Sequence, residues 1–313
     1  AFNSANILKN RGYDTTFIDL SGWNDSRQLT IDERIKDSFA QIDPFSTICF
    51  ATGYTKGTEG IMREFDRGYS EVTFSKVAVL LGADEATIHK EYHLCSGDPL
   101  IIGENSVKPV CNTNYDVADQ LADVGMEAIH PKASKPLEIK NIPIRVKNAF
   151  DPDHPGTLIT KDFIAPESKV EIVTGSREAT CIEIYVTRMV GEVGFDLRIM
   201  EIFDKYDVSY IAKMTNANTI DLIIEEKDCM PNFLAELNEF MERVSTSPVA
   251  IVCAIGSNIA QPGIMAKAAQ ALAGKTINIL AVSQTKRQTN MQFIVERDQF
   301  DEAQIALHGA LCA

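Results

Sequence analysis

The second half of the chain contains two copies of one pattern, and this repeat restricts the fold more than any other feature. Gly194 and Gly263 each precede a helical pattern and lie 69 positions apart. Ile223 and Ile294 lie in matching strand patterns 71 positions apart. Each copy reads strand, turn, helix, strand, strand, helix, which is typical of the β-α-β-β-α-β ferredoxin-like arrangement. The repeat therefore predicts two ferredoxin-like modules in tandem.

The apolar periodicity also predicts the elements of each copy. The first copy is predicted to contain a turn at 193–195, a helix at 196–206 and strands at 208–211 and 220–225. The second copy is predicted to contain a turn at 261–264, a helix that ends near 273 and strands at 277–280 and 291–296.

The first half of the chain alternates strand and helix patterns. Strands are predicted at 16–20, 46–51, 86–89 and 144–148, and helices at 31–42, 70–81 and 115–124. This alternation favours a layered α/β domain with a mainly parallel sheet. Turn-forming residues at 150–157 indicate a surface loop near the exit of that domain. The predicted domains are residues 1–165, 166–246 and 247–313.

Length and composition exclude several classes of protein. A chain of 313 residues is expected to form two or three domains. The formal net charge of -14 disfavours binding to nucleic acid, and no apolar run is long enough to cross a bilayer. Seven cysteines without paired spacing are typical of a reducing cytosol, so a cytoplasmic location is expected.

The first residues read as a helix that is already under way. Phe2, Ile7 and Leu8 are apolar at helical spacing, and Gly12 lies where a C-terminal cap belongs. Because residue 1 is Ala and no cap precedes this helix, further residues upstream are expected.

The turn before each helix of the repeat is rich in glycine. Gly191, Gly194 and Gly263 allow close approach of the backbone, and free amides at a helix N-terminus suit the carboxylate of a small amino acid. The same modules could instead serve only as a dimerisation scaffold. From the residues alone, both interpretations stay open.

Several segments, in the same order and spacing, resemble one known family. The pattern Met189-x-Gly191-x-x-Gly194-Phe195 is similar to the effector-facing turn of the first ACT module of aspartate kinases. Other segments resemble the last ACT module of that family (255–259, 262–264, 277–279, 283–284 and 291–293) and its kinase domain (128–131, 142–150 and 155–159). The chain is identified as a member of the aspartate kinase family, and it most resembles the divergent kinases associated with ectoine synthesis.

This resemblance implies a fold and a reaction. The fold would be the C-terminal part of an amino-acid-kinase, or carbamate-kinase-like, sheet domain followed by two ACT modules. The reaction would use ATP and Mg²⁺ to convert L-aspartate to 4-phospho-L-aspartate. The resemblance further implies a homodimer and an amino-acid effector at the ACT modules. The phosphate loop of the family would lie upstream of Ala1, so the chain by itself is expected to be inactive.

The segment 67–71 resembles the substrate loop of the family, which reads Arg-Gly-Gly-Ser-Asp. The resemblance implies that Arg67 pairs with a substrate carboxylate, that Gly68, Ser70 and the first helical amides hold the same anion, and that Glu71 faces the substrate ammonium. Gly53 would belong to the glycine loop beside the substrate. The alternative is that Ser70 only caps the helix. Here Glu71 replaces Asp and Tyr69 replaces Gly.

The predicted nucleotide-binding residues depart from the family pattern. His89 and Lys90 stand where the family has Thr-Asp, Asp98 and Pro99 are retained, and Glu127 replaces a Lys that is directed at the phosphates. We interpret Lys90 and Glu127 as a reciprocal charge swap across the nucleotide cleft. The alternative is that nucleotide binding has been lost. His89, Glu91 and His93 have no fourth ligand in sequence, and no metal site is predicted.

The predicted effector-binding residues lie in the first ACT module. They are Met189, Glu192, Gly194, Phe195 and Ser209. Ile211 occupies a position that is acidic in lysine-sensitive relatives, and an apolar side chain cannot pair with an ammonium group. Weakened lysine binding, another amino acid and a purely structural module all stay open.

Two other functions remain to be weighed against an aspartate kinase. A non-catalytic amino-acid sensor on a degenerate kinase scaffold would account for the altered residues at 89, 90 and 127. Retention of Arg67, Ser70 and Asp98-Pro99 opposes it. A kinase for another amino acid, such as glutamate, is opposed by the tandem ACT pattern.

Overall fold

A computed structural model describes residues 1–60, 68–126, 128–190 and 193–312. The chain forms two compact units, the first from Ala1–Tyr92 and Ala128–Asp162, the second from His93–Glu127 and Phe163–Ala313. The helices in the described ranges are α1 (Phe2–Asn10), α2 (Ile31–Phe39), α3 (Tyr69–Leu81), α4 (Pro99–Ile102), α5 (Tyr115–Asp123), α6 (Pro131–Ile139), α7 (Phe195–Lys205), α8 (Pro231–Phe240), α9 (Ile264–Ala273) and α10 (Phe300–Leu311).

The four strands predicted in the first half of the chain are present within two residues of their predicted bounds, whereas the second strand of each repeated module lies further along the chain than predicted. The strands in the described ranges are β1 (Thr15–Ile18), β2 (Ile48–Ala51), β3 (Ala86–Lys90), β4 (Asn112–Asn114), β5 (Ile144–Asn148), β6 (Thr157–Thr160), β7 (Ile172–Tyr185), β8 (Ala212–Thr215), β9 (Thr219–Glu225), β10 (Arg243–Ile255), β11 (Ala281–Ser283) and β12 (Asn290–Glu296).

The first unit has the layered α/β character that its sequence predicts. β1 pairs parallel with β2, β3 pairs parallel with β5, and β6 is antiparallel to β5. Helix α2 illustrates how the sequence sets these elements. Thr30 and Glu33 form a reciprocal capping box at its start, and Ile31, Ile35 and Phe39 on one face are buried. The predicted fold class is confirmed.

In the second unit, two long strands form the centre of one sheet. The strand order is β11-β12-β10-β7-β9-β8, and β7 pairs antiparallel with β10 from Ile172 opposite Ile255 to Tyr185 opposite Arg243. The first βαββαβ module runs from the later part of β7 through α7, β8, β9 and α8 into β10. The second runs from the later part of β10 through α9, β11, β12 and α10, and the early part of β7 is its fourth strand.

The two modules therefore exchange strands. In the core of the second module, Val173 near the start of β7 and Val170 just before that strand pack with Val252 and Phe293. The predicted boundary between residues 246 and 247 lies inside β10, because that strand closes one module and opens the next. The core of the first module is a separate cluster that includes Ile182, Phe203 and Phe233. A fully buried side chain of this size contributes about 1.5–3 kcal/mol.

The second strand of each module begins later than predicted, and for the same reason in both. Asp207 and Thr276 adopt left-handed backbone conformations, with φ of 54° and 56°. The amide of the next residue donates a hydrogen bond back to the preceding helix. Val208 donates to the Phe203 carbonyl at 2.9 Å, and Ile277 donates to the Leu272 carbonyl at 3.0 Å. These are Schellman-type endings of α7 and α9. The residues predicted to open a strand close a helix instead.

Two general features bear on the sequence-based expectations. In the part of the chain that the structure describes, every helix is too short or too polar to cross a membrane. All seven cysteines are free thiols.

A glycine in β7 tests the pairing of the two central strands. A Cβ on Gly175 would lie 2.0 Å from the carbonyl oxygen of Ile251 on β10. Because that neighbour is backbone, we expect Gly175→Ala to lower the free energy of unfolding by about 1–3 kcal/mol, as overpacked sites do. Urea unfolding of the chain measures this change.

The matched control is Gly309→Ala on the exposed face of α10, where a Cβ would meet nothing within 4 Å. Removing a helical glycine there should raise the free energy of unfolding by about 0.5–1 kcal/mol. Equal stability changes in the two variants would contradict the strand packing described above.

Candidate active site

The N-terminus of α3 presents unsatisfied backbone amides at the edge of the first unit. Gly68 is the N-cap residue, with φ of 76° and no side chain to cap the helix. The first intrahelical bond runs from the Val72 amide to the Gly68 carbonyl, so the amides of Tyr69, Ser70 and Glu71 have no helical partner. Such a terminus favours an anion. Ser70 is the second residue of the helix, and the alternative that it caps the helix is wrong.

Gly53 and Ser70 lie against each other, although 17 positions separate them in sequence. Gly53 lies two residues after the end of β2, and a Cβ on it would lie 2.8 Å from the Ser70 hydroxyl oxygen. A side chain at position 53 would therefore push against the start of α3. Gly68 is equally close to a neighbour, since its Cβ would lie 2.7 Å from the imidazole ring of His130. At both positions, a residue larger than glycine would clash with the neighbouring side chain at this helix terminus.

Glu71 is held from two sides. Its Oε1 accepts a hydrogen bond from Lys90 Nζ at 3.0 Å, and its Oε2 accepts one from the backbone N–H of His130 at 2.6 Å. The Glu71 side chain is 22% exposed and that of Lys90 is 35% exposed. A hydrogen bond to a charged group is worth about 1.5–3 kcal/mol, less where solvent reaches it. The carboxylate thus fixes the Lys90 ammonium beside the anion-binding start of α3.

His130 supports this arrangement through its backbone and its position. It is the N-cap residue of α6, and its Nδ1 accepts a hydrogen bond from the Lys132 amide at 3.2 Å. This is a structural role at the start of a helix. The contact of its N–H with Glu71 has no sequence signal, because it depends on how α6 packs beside α3.

The remaining predicted catalytic and nucleotide-binding residues are distributed differently. His89 is exposed on β3, and Lys90 is the last residue of that strand. Asp98 and Pro99 belong to the second unit, where Asp98 Oδ1 accepts a hydrogen bond from the Leu100 amide at 2.8 Å and caps the short helix α4. Arg67 and Glu127 lie outside the described residues. The pairing of Lys90 with Glu127 stays a prediction.

Three of the predicted effector residues, Met189, Gly194 and Phe195, lie at or shortly before the start of α7 in the first module. Gly194 is its N-cap residue, with φ of 99°, and Gly263 holds the same position before α9, with φ of 94°. Met189 and Phe195 pack against the core of the first module. Ser209 is exposed before β8, and Glu192 lies outside the described residues.

A cavity of about 280 Å³ in the second unit was not predicted, and none of the predicted site residues lines it. Its walls include Lys108, Asn112, Lys169 and Glu171, with Cys312 beside them. Burial raises the pKa of Cys312 to about 12, which keeps this thiol protonated and unreactive at neutral pH.

Within the described ranges no three His, Cys, Asp or Glu side chains are grouped so that they could hold a metal ion. At the start of α3, the Lys90 ammonium and the His130 amide both donate to the Glu71 carboxylate.

Comparisons with known proteins match two parts of the chain. The model of the amino acid kinase family matches residues 2–148, and an ACT domain model matches residues 252–311. The aspartate kinase Ask_Ect of Stutzerimonas stutzeri is 42% identical over 99% of this chain and 66% of its own length. Aspartokinase 1, chloroplastic, of Arabidopsis thaliana is 28% identical over 80% of this chain and 45% of its own length. The chain thus spans about two thirds of the length of the first relative and under half of the length of the second.

Solved structures support the fold. The aspartate kinase of Clostridium acetobutylicum superimposes with a TM-score of 0.79 at 24% identity, covering 94% of this chain and 70% of that one. Aspartokinase III of E. coli, in complex with aspartate and ADP, gives a TM-score of 0.79 at 19% identity and covers 99% of this chain and 72% of that one.

A double-mutant cycle tests the contact between Gly53 and Ser70. We expect Gly53→Ala to cost about 1 kcal/mol of unfolding free energy, because the new methyl group meets the Ser70 hydroxyl. Ser70→Ala should be nearly neutral alone and should recover about 0.5–1 kcal/mol in the Gly53→Ala background. Thermal unfolding of the four proteins gives the coupling. Ser4→Ala on the exposed face of α1 is the control and should be additive with Gly53→Ala; coupling of equal size there would contradict the contact.

Proposed function

We propose that this chain, which belongs to the aspartate kinase family, is part of an enzyme that phosphorylates L-aspartate with ATP. The β-carboxylate oxygen forms a bond to the γ-phosphorus as the bond from that phosphorus to the bridging oxygen of ADP breaks. The products are 4-phospho-L-aspartate and ADP. The acceptor carboxylate is already ionised at neutral pH, so the step needs no strong base.

One observation carries this proposal, the 42% identity to an aspartate kinase along 99% of the chain. Identity of that extent favours an enzyme over a non-catalytic sensor, since it includes the kinase-like half. E. coli aspartokinase III binds aspartate and ADP, and we extend both ligands to this chain. The product would feed aspartate-family amino-acid or ectoine synthesis, in the cytoplasm.

The start of α3 is the proposed substrate site. The amides of the first turn and the Ser70 hydroxyl would bind a carboxylate of aspartate, because the helix terminus carries partial positive charge. Gly53 and Gly68 allow Ser70 and His130 to pack closely at this helix terminus. Arg67 would add a bidentate contact to the same carboxylate. Glu71 would accept the substrate ammonium through a lone pair that Lys90 leaves free.

Lys90 is the proposed cation for the nucleotide phosphates. Transfer of a phosphoryl group depends mainly on positioning and on positive charge around the transferring group. Glu71 holds the Lys90 ammonium at 3.0 Å and is itself fixed by the His130 amide, so the cation is oriented before the nucleotide arrives. Glu127 stands where the family has its phosphate-directed Lys, and Lys90 would replace that charge. His89 is proposed to bind the nucleotide beside Lys90. Asp98 and Pro99, which belong to the second unit, stay predicted nucleotide-binding residues.

ATP supplies the phosphoryl group, and Mg²⁺ would neutralise charge on its phosphates. Mg²⁺ commonly keeps several waters and is bound by one or two carboxylates and the substrate phosphates.

The ACT modules are the proposed regulatory part. E. coli aspartokinase III has been solved in complex with lysine and aspartate, and an amino-acid effector is proposed here at Met189, Glu192, Gly194, Phe195 and Ser209. Paired ACT modules are also the proposed basis of a homodimer.

Substitution of Lys90 tests its role in the full-length enzyme. We expect Lys90→Ala to raise the KM for ATP by about tenfold or more, because one charge-assisted contact of about 1.5–3 kcal/mol is lost. The KM for aspartate should change much less. Lys140→Ala at the exposed end of α6 is the control, and it should leave both constants unchanged. An unchanged KM for ATP in Lys90→Ala would contradict the assignment.

The charge-swap hypothesis has its own test. If Lys90 and Glu127 face each other, Lys90→Asp combined with Glu127→Lys should restore ATP affinity relative to either single change. ATP binding to the three variants is measured by calorimetry. A double variant no better than the single variants would show that the two side chains act independently.

A further inference from the structure

The cavity of the second unit is formed by two chain segments and the end of a helix. Residues 108–112 lead into β4, residues 163–171 lead into β7, and Cys312 follows α10. The volume of about 280 Å³ is close to the lower end of the range for small-molecule pockets, which is about 300–1,000 Å³. It therefore suits a small metabolite better than a nucleotide.

Two lysines give this cavity positive charge. Lys108 and Lys169 both line it, although they lie 61 positions apart in the sequence. Among the residues that the structure describes, neither ammonium group has a carboxylate as an ion-pair partner. The chain as a whole carries 44 acidic and 30 basic residues. Two unpaired cations at one cavity are thus the reverse of the overall charge balance.

The charges of both lysines act on the same wall of the cavity. Burial is the largest influence on the Cys312 thiol and raises its pKa, whereas the charges of Lys169 and Lys108 act in the opposite direction. Burial also lowers the pKa of His308, one turn earlier on α10, and the charge of Lys108 adds to that effect. The two ammonium groups are therefore close enough to this wall for one small anion to meet both.

The carboxylate in the lining, Glu171, is already bound by the protein. It is 8% exposed. Its Oε1 accepts hydrogen bonds from the Ser257 amide, at 2.8 Å, and from the Ser257 hydroxyl, and its Oε2 accepts one from the Thr113 hydroxyl at 2.8 Å. These donors compensate its charge, so the lysines stay available. Its negative charge nevertheless disfavours a highly charged polyphosphate as the ligand.

The remaining wall suits a short carbon chain with polar ends. Pro109, Phe163, Pro166 and Val170 supply apolar surface, and the side-chain amide of Asn112 offers a donor. A few polar groups on a largely apolar wall are typical of sites for small organic ligands. A dicarboxylate matches this lining, because it carries one anion for each lysine and an apolar middle.

We propose that this cavity binds a small dicarboxylate, with about four or five carbons, through Lys108 and Lys169. Each ammonium donates to one carboxylate of the ligand, and the Asn112 amide adds a further hydrogen bond. The carbon chain packs against Phe163 and the neighbouring prolines. This site is separate from the proposed kinase and effector residues, and it does not depend on the reaction proposed above.

Cys111 is a natural reporter for the cavity. It lines the cavity and is exposed, whereas the other six cysteines are buried or half-buried. Alkylation of the full chain by iodoacetamide, followed at each cysteine by peptide mass spectrometry, therefore measures access to the site. Glutarate at about ten times its dissociation constant should slow alkylation of Cys111 by about tenfold, because the bound ligand covers the thiol. Alkylation of Cys229, in the first module, should not change.

A matched ligand tests recognition at two points. Pentanoate has the carbon chain of glutarate and one carboxylate fewer, so it can satisfy only one of the two lysines. Its half-protecting concentration at Cys111 should be about tenfold higher than that of glutarate. Equal protection by pentanoate would overturn the proposal, and so would equal protection by inorganic phosphate, which has no carbon chain. Absence of protection by both succinate and glutarate would overturn it as well.

Neutral substitutions test the two lysines. Lys108→Gln and Lys169→Gln should each raise the half-protecting concentration of glutarate by about tenfold. The control is Lys286→Gln, which removes the same charge at an exposed position outside the cavity lining and should leave protection unchanged. Rates with and without ligand are compared within each variant, since a lost cation also alters the reactivity of a nearby thiol.

The variants also separate binding from general effects. All three lysines are exposed, so the three proteins should melt at the same temperature as the unmodified chain. An equal loss of protection in Lys286→Gln would show a general charge effect and overturn the site, as would full protection in the variant that lacks both Lys108 and Lys169. None of these measurements uses catalysis, so failure of this site and failure of the proposed kinase function are distinguishable.

Discussion

The antiparallel pairing of β7 with β10 is the constraint on which the second unit depends. Each strand is long enough to close one βαββαβ module and open the other, so neither module can complete its sheet alone. Gly175 permits the close approach of the two backbones near their middle. The segment that leads to α7 follows β7 and the segment that leads to α9 follows β10, so each is joined to a strand that both modules share.

In the candidate active site, charged groups are concentrated at one helix terminus, the start of α3. Glycines at 53 and 68 allow Ser70 and His130 to pack closely at the start of α3, and Glu71 holds the Lys90 ammonium by a hydrogen bond. A carboxylate in the first turn is stabilised by the helix, by the His130 amide and by the Lys90 ammonium together. The protein thereby holds a cation in place without burying it, which leaves the ammonium available to a phosphate.

Local patterns allowed most of the fold to be predicted, and tertiary partners account for what was missed. The spacings of Gly194 with Gly263 and of Ile223 with Ile294 reveal two modules, because each turn and helix is encoded locally. The strand exchange is not encoded locally, because the sequence of an apolar strand does not specify which strand it pairs with. Likewise the charges of Glu71 and Lys90 are visible in sequence, but their contact is not. The left-handed Asp207 and Thr276 lack the glycine that normally marks such helix endings.

The central claim is that Lys90, oriented by Glu71, supplies positive charge to the nucleotide phosphates. A crystal structure of the full-length enzyme with ADP and aspartate tests this directly, through the distance from Lys90 Nζ to the nearest phosphate oxygen. The account predicts a distance of about 2.7–3.0 Å, the range for a charge-assisted hydrogen bond, with Glu71 still in contact with the ammonium. A phosphate bound by other cations, with Lys90 turned to solvent, would contradict it.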